Sequence, residues 1–246
     1  MGYLRRLYLD VLKTGYAETV AMLAARITPE TRCLDLGCGK LKLYDALRAV
    51  APLEHYLGLD YHTPFVEAAR ARGVAVRRVD FDQDPLPEEA RGSDLAWSIH
   101  NLEHLARPCA FLRGVFEALA PGGHLLVATP NLAAWFNVVH LVLGLPPSSG
   151  PHPDREGVRR GMALWAHANP HFGEIESREA PGRHLVVHTW RSLQAILVDT
   201  GFQIVERRAY GYHPLPPGPA RLMCRVDPWH CHHMTFLVRK PAPRPG

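Results

Sequence analysis

The chain lacks any massed block of like charge, any CxxC pair and any apolar run long enough to cross a bilayer. Its 28 basic and 24 acidic residues leave a net charge of only +4. The basic residues gather in nothing larger than pairs, as at Arg5-Arg6, Arg77-Arg78, Arg159-Arg160 and Arg207-Arg208. A nucleic-acid backbone is ordinarily held by a continuous basic stripe, so no nucleic-acid partner is expected. The five cysteines, Cys33, Cys38, Cys109, Cys224 and Cys231, are odd in number, which predicts reduced thiols in a cytoplasmic protein. Behind Met1-Gly2-Tyr3-Leu4-Arg5-Arg6-Leu7 there is no apolar core of a signal peptide. The most apolar stretch, Leu132 to Leu145, is broken by Asn137 and His140 and falls short of the about 20 residues that a span requires. No membrane span is expected.

What is present is an alternation of strand-like and helix-like segments. Leu4 to Arg26 repeats apolar residues at helical spacing and stops before Thr28-Pro29. Arg32 to Leu36 reads as a strand that runs directly into Gly37-Cys38-Gly39. A helix over Leu41 to Val50, a strand over His55 to Asp60 and a helix opening at Thr63-Pro64 and ending at Arg72-Gly73 follow. Further strands are predicted over Val74 to Val79, Leu95 to Ile99 and His124 to Thr129, with a helix over Pro108 to Leu119 and a turn at Pro121-Gly122-Gly123. The alternation lapses from Pro130 to Arg183, a helical insertion, and resumes with a helix over Trp190 to Thr200 and strands over Phe202 to Arg208 and Met234 to Val238. Tyr210 to Pro219 reads as loop, and residues 241–246 as a disordered tail. The order implies one domain, residues 1–240, in which a doubly wound α/β sheet is covered by helices on both faces.

The turn after the first strand is where such sheets bind ligands, and its glycines let a ligand lie against the backbone. A nicotinamide dinucleotide would call for GxGxxG, but Lys42 stands at the third glycine position. Asp35 would repel a pyrophosphate and suits the ammonium and sulfonium charges of S-adenosylmethionine. Asp60, ending the second strand, stands where an acid can accept from both ribose hydroxyls. After the third strand, Asp80 or Asp82 can accept from an adenine amino group, and Phe81 can cover the ring; the sequence leaves open which aspartate does so.

These residues carry a resemblance that extends over nearly the whole chain. Cys33-Leu34-Asp35-Leu36-Gly37-Cys38-Gly39, Gly58-Leu59-Asp60 and Val79-Asp80-Phe81-Asp82 resemble the first three motifs of the class I methyltransferases. Ser98-Ile99-His100-Asn101-Leu102-Glu103-His104-Leu105 is similar to the signature after their fourth strand. Leu119-Ala120-Pro121-Gly122-Gly123 with Ala128-Thr129-Pro130-Asn131 is similar to that of the fifth, and His188-Thr189-Trp190 with Thr200-Gly201-Phe202 to the last helix and sixth strand. The resemblance implies a mostly parallel seven-stranded sheet with an antiparallel last strand. It implies S-adenosylmethionine as cofactor, bound by Asp35, Gly37, Cys38, Gly39, Asp60, Tyr61, Asp80, Phe81, Asp82, Ser98 and Ile99.

The family places His100 beside the methionine end of the cofactor, so His100 is the first candidate for a general base and His104 the second. His100-x-x-Glu103-His104 also resembles the ExxEH metal site of relatives that methylate RNA ends or quinone precursors, with His100 replacing the first Glu. The cluster Trp229-His230-Cys231-His232-His233 lacks ligand spacing and reads as local packing. Ser98-Ile99-His100-Asn101 is not the Asn/Asp-Pro-Pro-aromatic motif used on exocyclic amines, and the paired-glutamate loop of arginine methyltransferases is missing. The insertion holds Trp135, Phe136, Trp165 and Phe172 with His140, His152, His167 and His171, an aromatic lid suited to a small-molecule acceptor. The expected reaction is O- or N-methylation of a small molecule; a metal-assisted enzyme and a non-enzymatic cofactor-binding module remain as alternatives.

Overall fold

The computed structural model describes residues 3–151 and 184–242. Helix α1 (Tyr3–Ala24) leads into strand β1 (Arg32–Leu36), α2 (Lys42–Arg48), β2 (His55–Asp60), α3 (Thr63–Ala71) and β3 (Val76–Arg78). Then come β4 (Ser93–Ile99), α4 (Pro108–Ala118), β5 (Leu119–Pro130) and α5 (Trp135–Val142). After the insertion follow α6 (Trp190–Thr200), β6 (Gln203–Tyr210), α7 (Pro217–Val226) and β7 (His233–Arg239). The strands form one seven-stranded sheet in the order β3-β2-β1-β4-β5-β7-β6. Strands β3, β2, β1, β4 and β5 pair in parallel, and β7 runs antiparallel to both its neighbours, as the resemblance implied.

The period-2 pattern of the strands divides the core between the two faces. In β1, Leu34 and Leu36 belong to the cluster that holds Phe81, Phe111, Trp190 and Phe236. Cys33 belongs to the opposite cluster, with Leu47, Tyr56, Trp97 and Leu237. Strand β7 is buried at six successive positions, His233 to Val238, as befits an interior strand covered on both faces. Helix α6 starts on a capping box in which Thr189 and Ser192 exchange side-chain and backbone bonds, and it stops at Gly201 with φ 109°.

Two readings of the sequence need correction. Pro121-Gly122-Gly123 is no separate turn: it lies inside β5, where the pairing with β4 slips between Ser93 and Leu95. A Cβ on Gly123 would stand 2.9 Å from the Ala120 carbonyl oxygen and 3.0 Å from that of Ser93, so the bulge admits only glycine. The predicted loop from Tyr210 to Pro219 gives way at Pro217 to α7, a helix that proline at its first position is well suited to begin. Among the described residues no helix is long and apolar enough to cross a membrane, and all five cysteines are free. Of the expected lid, His152, Trp165, His167, His171 and Phe172 lie outside the described residues, as does the tail from 243 onward.

Candidate functional site

The carboxyl ends of β1, β2 and β4 meet at the glycine turn. Gly37 and Cys38 both give their N–H to the Leu59 carbonyl, at 2.8 and 3.1 Å, which draws the turn onto β2. Gly37 has φ 89°, and a Cβ there would stand 2.9 Å from Cγ of Asn101. At Gly39, with φ 51°, a Cβ would meet nothing within 4 Å, so the backbone is open on that side. The Gly39 N–H donates to Asp60 Oδ2 at 2.8 Å and the His62 N–H to Oδ1 at 2.8 Å. Both oxygens of the buried Asp60 are therefore fixed while each keeps a free lone pair. Tyr61 beside it is exposed.

Asp35 lies on the other side of the turn, 3% exposed, and accepts from the Tyr56 hydroxyl at 2.9 Å. Burial pushes its pKa up to about 7; the Tyr56 bond opposes that rise and the charge of Asp60 adds to it. Burial likewise pushes the Cys38 thiol up, so it stays a thiol.

The two aspartates after β3 differ in what they hold. Asp82 accepts from the backbone N–H of Ala106 (Oδ2, 3.0 Å) and of Arg107 (Oδ1, 2.9 Å), capping the start of α4. Asp80 accepts only from its own turn, at Asp82 N and Gln83 Nε2. Phe81 does not present its ring to a ligand: it is buried against Phe111 at 5.0 Å between centroids, inside the core. That corrects the expectation of a ring-covering role.

Beyond β4, Ser98 is fully buried and Ile99 half-buried. His100 takes the left-handed backbone conformation, φ 51°, with its N–H bonded to the Ala128 carbonyl. A non-glycine residue in that region is strained and persists where the surroundings impose it. Its Nδ1 lies 3.3 Å from Oε1 of Glu103, whose other oxygen accepts from Thr129 Oγ1 at 3.0 Å. Burial would raise the Glu103 pKa, but the hydrogen bond from His100 and the charges of His100, His104 and His184 outweigh it and hold the pKa down at about 2.

The structure gathers histidines that the sequence reading did not connect. His184 Nδ1 meets the Ser149 carbonyl at 2.5 Å, and its ring lies 5.0 Å from that of His104. Ligand atoms of Glu103, His104 and His184 all fall within 4.8 Å of one another. Among the described residues the set whose ligand atoms converge is thus Glu103-His104-His184 and not the consecutive His100-Glu103-His104. His188 is buried, and burial pushes its pKa down. His233 is also buried, stacked on His232, with its ring 5.0 Å from that of His100. In the sequence His188 stood only within the His188-Thr189-Trp190 motif and His233 only within the cluster from Trp229 to His233, which packing explains in part: His230 pairs with Asp227 at 2.8 Å.

A cavity of about 430 Å³ opens against His100, lined by Ile99, Ala128, His233 and Thr235 and roofed by α1. A larger hollow, about 610 Å³, lies among α1, β6 and α7, away from the glycine turn and His100. Trp135 and Phe136 line neither. Trp135 donates to the Tyr212 hydroxyl and stacks on His230, and Phe136 packs on His232, so the described part of the insertion buttresses the histidine run.

A model of the methyltransferase domain family matches residues 8–207. The ubiquinone biosynthesis O-methyltransferase of Xylella fastidiosa (strain 9a5c) is 30% identical over 166 residues, which cover 62% of this chain and 66% of that protein. The chain thus spans just under two thirds of that relative's length. “Probable tRNA methyltransferase 9B” of Bos taurus is 34% identical over 102 residues, 40% of this chain and 21% of that protein. The crystal structure of an S-adenosylmethionine-dependent methyltransferase from Mesorhizobium loti superposes with a TM-score of 0.56 at 17% identity, covering 89% of this chain and 96% of that one, a likeness of fold.

Proposed function

We propose, from the premise that this chain belongs to the methyltransferase domain family, that it moves a methyl group from S-adenosylmethionine to an oxygen or nitrogen of a small-molecule acceptor. Family and fold imply S-adenosylmethionine as the cofactor. The residues present suit it. The backbone at Gly39 is open, and Asp60 is a buried carboxylate with acceptor capacity to spare. Gly37, Cys38, Gly39 and Asp60 would hold the ribose side, with Tyr61 beside it. Asp80 would meet the adenine amino group, since Asp82 is engaged with α4. Asp35, with Ser98 and Ile99, would face the cationic methionine end. When bound, the cofactor supplies a methyl carbon that the acceptor's lone pair takes as the carbon–sulfur bond breaks toward sulfur.

His100 is the general base of this reading, and its contact with Glu103 is the observation that carries it. With Nδ1–H donating a hydrogen bond to the Glu103 carboxylate, Nε2 is unprotonated and able to take the acceptor's proton. Glu103, held ionised, then stabilises the imidazolium that forms. The largely apolar cavity beside His100 would orient the acceptor, an effect worth on the order of 7 kcal/mol or more in favourable cases. The free cysteines support a reducing compartment, the cytoplasm. Incubating the protein with methyl-labelled S-adenosylmethionine and fractionated small-molecule extract tests the reading. Labelled product and S-adenosylhomocysteine in equal amounts are expected; cofactor binding without transfer into any fraction would make the chain a binding module.

The second reading is metal assistance, favoured by the convergence of Glu103, His104 and His184. A divalent ion held there would polarise the acceptor oxygen. Loss of transfer in chelator, restored by magnesium, manganese or zinc, would select it over proton abstraction by His100.

A further inference from the structure

We infer that the methyl acceptor is an acid, a hydroxylated and otherwise largely apolar molecule whose carboxylate or similar anionic group is bound by Lys13. The inference rests on the methyltransferase reading and adds the charge of the acceptor to it. Of lysine, arginine, aspartate and glutamate side chains, the cavity lining holds only Lys13 and Lys42, with no carboxylate. The remaining lining is mostly apolar or uncharged, including Val11, Leu12, Ile99 and Ala128. Neither ammonium group has an ion-pair or hydrogen-bond partner among the described residues. An exposed lysine on a helix is ordinarily a solvated charge. Here two of one sign line an apolar hollow that has no carboxylate in its lining, and charge of one sign over low-dielectric walls concentrates the opposite sign.

The two lysines stand on different elements. Lys42 opens α2, three residues past Gly39, with its backbone carbonyl held by the Tyr16 hydroxyl at 2.7 Å, which places it beside the glycine turn, and we assign its ammonium to the carboxylate of the cofactor. Lys13 comes from α1, which roofs the cavity. That leaves it for the acceptor. An anionic group there anchors the molecule at one end while the hydroxyl at the other end meets His100. Such an anchor selects acids over their esters and over amines.

The test is calorimetry on protein saturated with S-adenosylhomocysteine, which has the cofactor's carboxylate and no methyl to transfer. The probes are 4-hydroxybenzoate, 3,4-dihydroxybenzoate and 4-hydroxyphenylacetate, each paired with its methyl ester. At least one acid should bind about tenfold or more tightly than its ester, the size of one charge-assisted hydrogen bond. Lys13→Gln should abolish that preference, Lys13→Arg should keep most of it, and S-adenosylhomocysteine affinity should stay unchanged in both. Equal binding of acid and ester, no binding of any probe, or a preference that survives Lys13→Gln would overturn the inference. So would weakened S-adenosylhomocysteine binding in Lys13→Gln, which would assign the lysine to the cofactor. Failure of the wild type to bind S-adenosylhomocysteine would instead bring down the methyltransferase reading, and this inference with it.

Discussion

His100 and Glu103 face each other across 3.3 Å, the imidazole on a left-handed backbone with φ 51° and the carboxylate buried beneath it. They stand three positions apart in the chain, and the left-handed conformation at His100 brings the ring back over the carboxylate. His100→Ala should therefore lower kcat by about 10²- to 10⁴-fold, the usual range for a general base, and leave cofactor affinity within a few-fold. His100→Gln should be nearly as slow, since it retains size without basicity. Near-full activity in His100→Ala would remove the residue from the mechanism.

Asp35 gives a pH dependence of stability with a definite sign. The folded protein keeps a proton on it up to about 7, whereas an unfolded chain releases it near 3.8. Between those values the folded state binds more protons, so this group's contribution to stability falls as pH rises. Asp35→Asn should gain on the wild type from about pH 4 to pH 7, by up to about 4 kcal/mol. Urea unfolding of both proteins across that window measures it, and parallel curves would refute the burial of a protonated Asp35.

Asp60→Ala should weaken S-adenosylmethionine about 10- to 150-fold, the equivalent of losing hydrogen bonds to a charged acceptor. The loss includes loosening of the glycine turn, because Gly39 and His62 lose their acceptor together. Calorimetry on the folded variant measures it, and unchanged affinity would leave Asp60 a purely structural anchor.

Asp80 and Asp82 should separate cleanly. Asp82→Ala removes two backbone partners at the start of α4 and should cost about 1–2 kcal/mol of stability with little effect on cofactor affinity. Asp80→Ala should do the reverse. A thermal melt and a binding isotherm on each variant decide the assignment, and a swapped pattern would place Asp82 at the adenine.

Most of this architecture was legible because it is written in local terms. The glycines at 37 and 39, the acids that end β1 and β2 and the alternation of strands with helices all fall within short windows of sequence. The errors have physical causes. Phe81 sits beside two aspartates that suggest a ligand, yet the turn after β3 carries its ring into the core against Phe111, a partner 30 positions away. Helix α7 was hidden by the prolines at 214, 216, 217 and 219, which read as loop although Pro217 opens a helix. The convergence of His104 with His184 depends on the chain returning to Glu103 through the Leu185 N–H, a 2.7 Å backbone bond that no spacing rule anticipates. Asp82 likewise revealed its role only through Ala106 and Arg107, on the far side of β4 in the chain.

The reversal of β7 has a consequence for how the protein comes into being. This strand is made after the other six of the sheet, yet it lies between β5 and β6 and carries His233 to the edge where His100 stands. Until it arrives, β5 exposes an unpaired margin and β6 has no neighbour in the sheet. Assembly of the reaction cavity must therefore await synthesis of β7, and until then the nascent polypeptide carries a sticky half-sheet that invites chaperones. A strong C-terminal pause in translation should lengthen that exposure and lower the yield of folded protein, whereas slow decoding near the N-terminus should matter little.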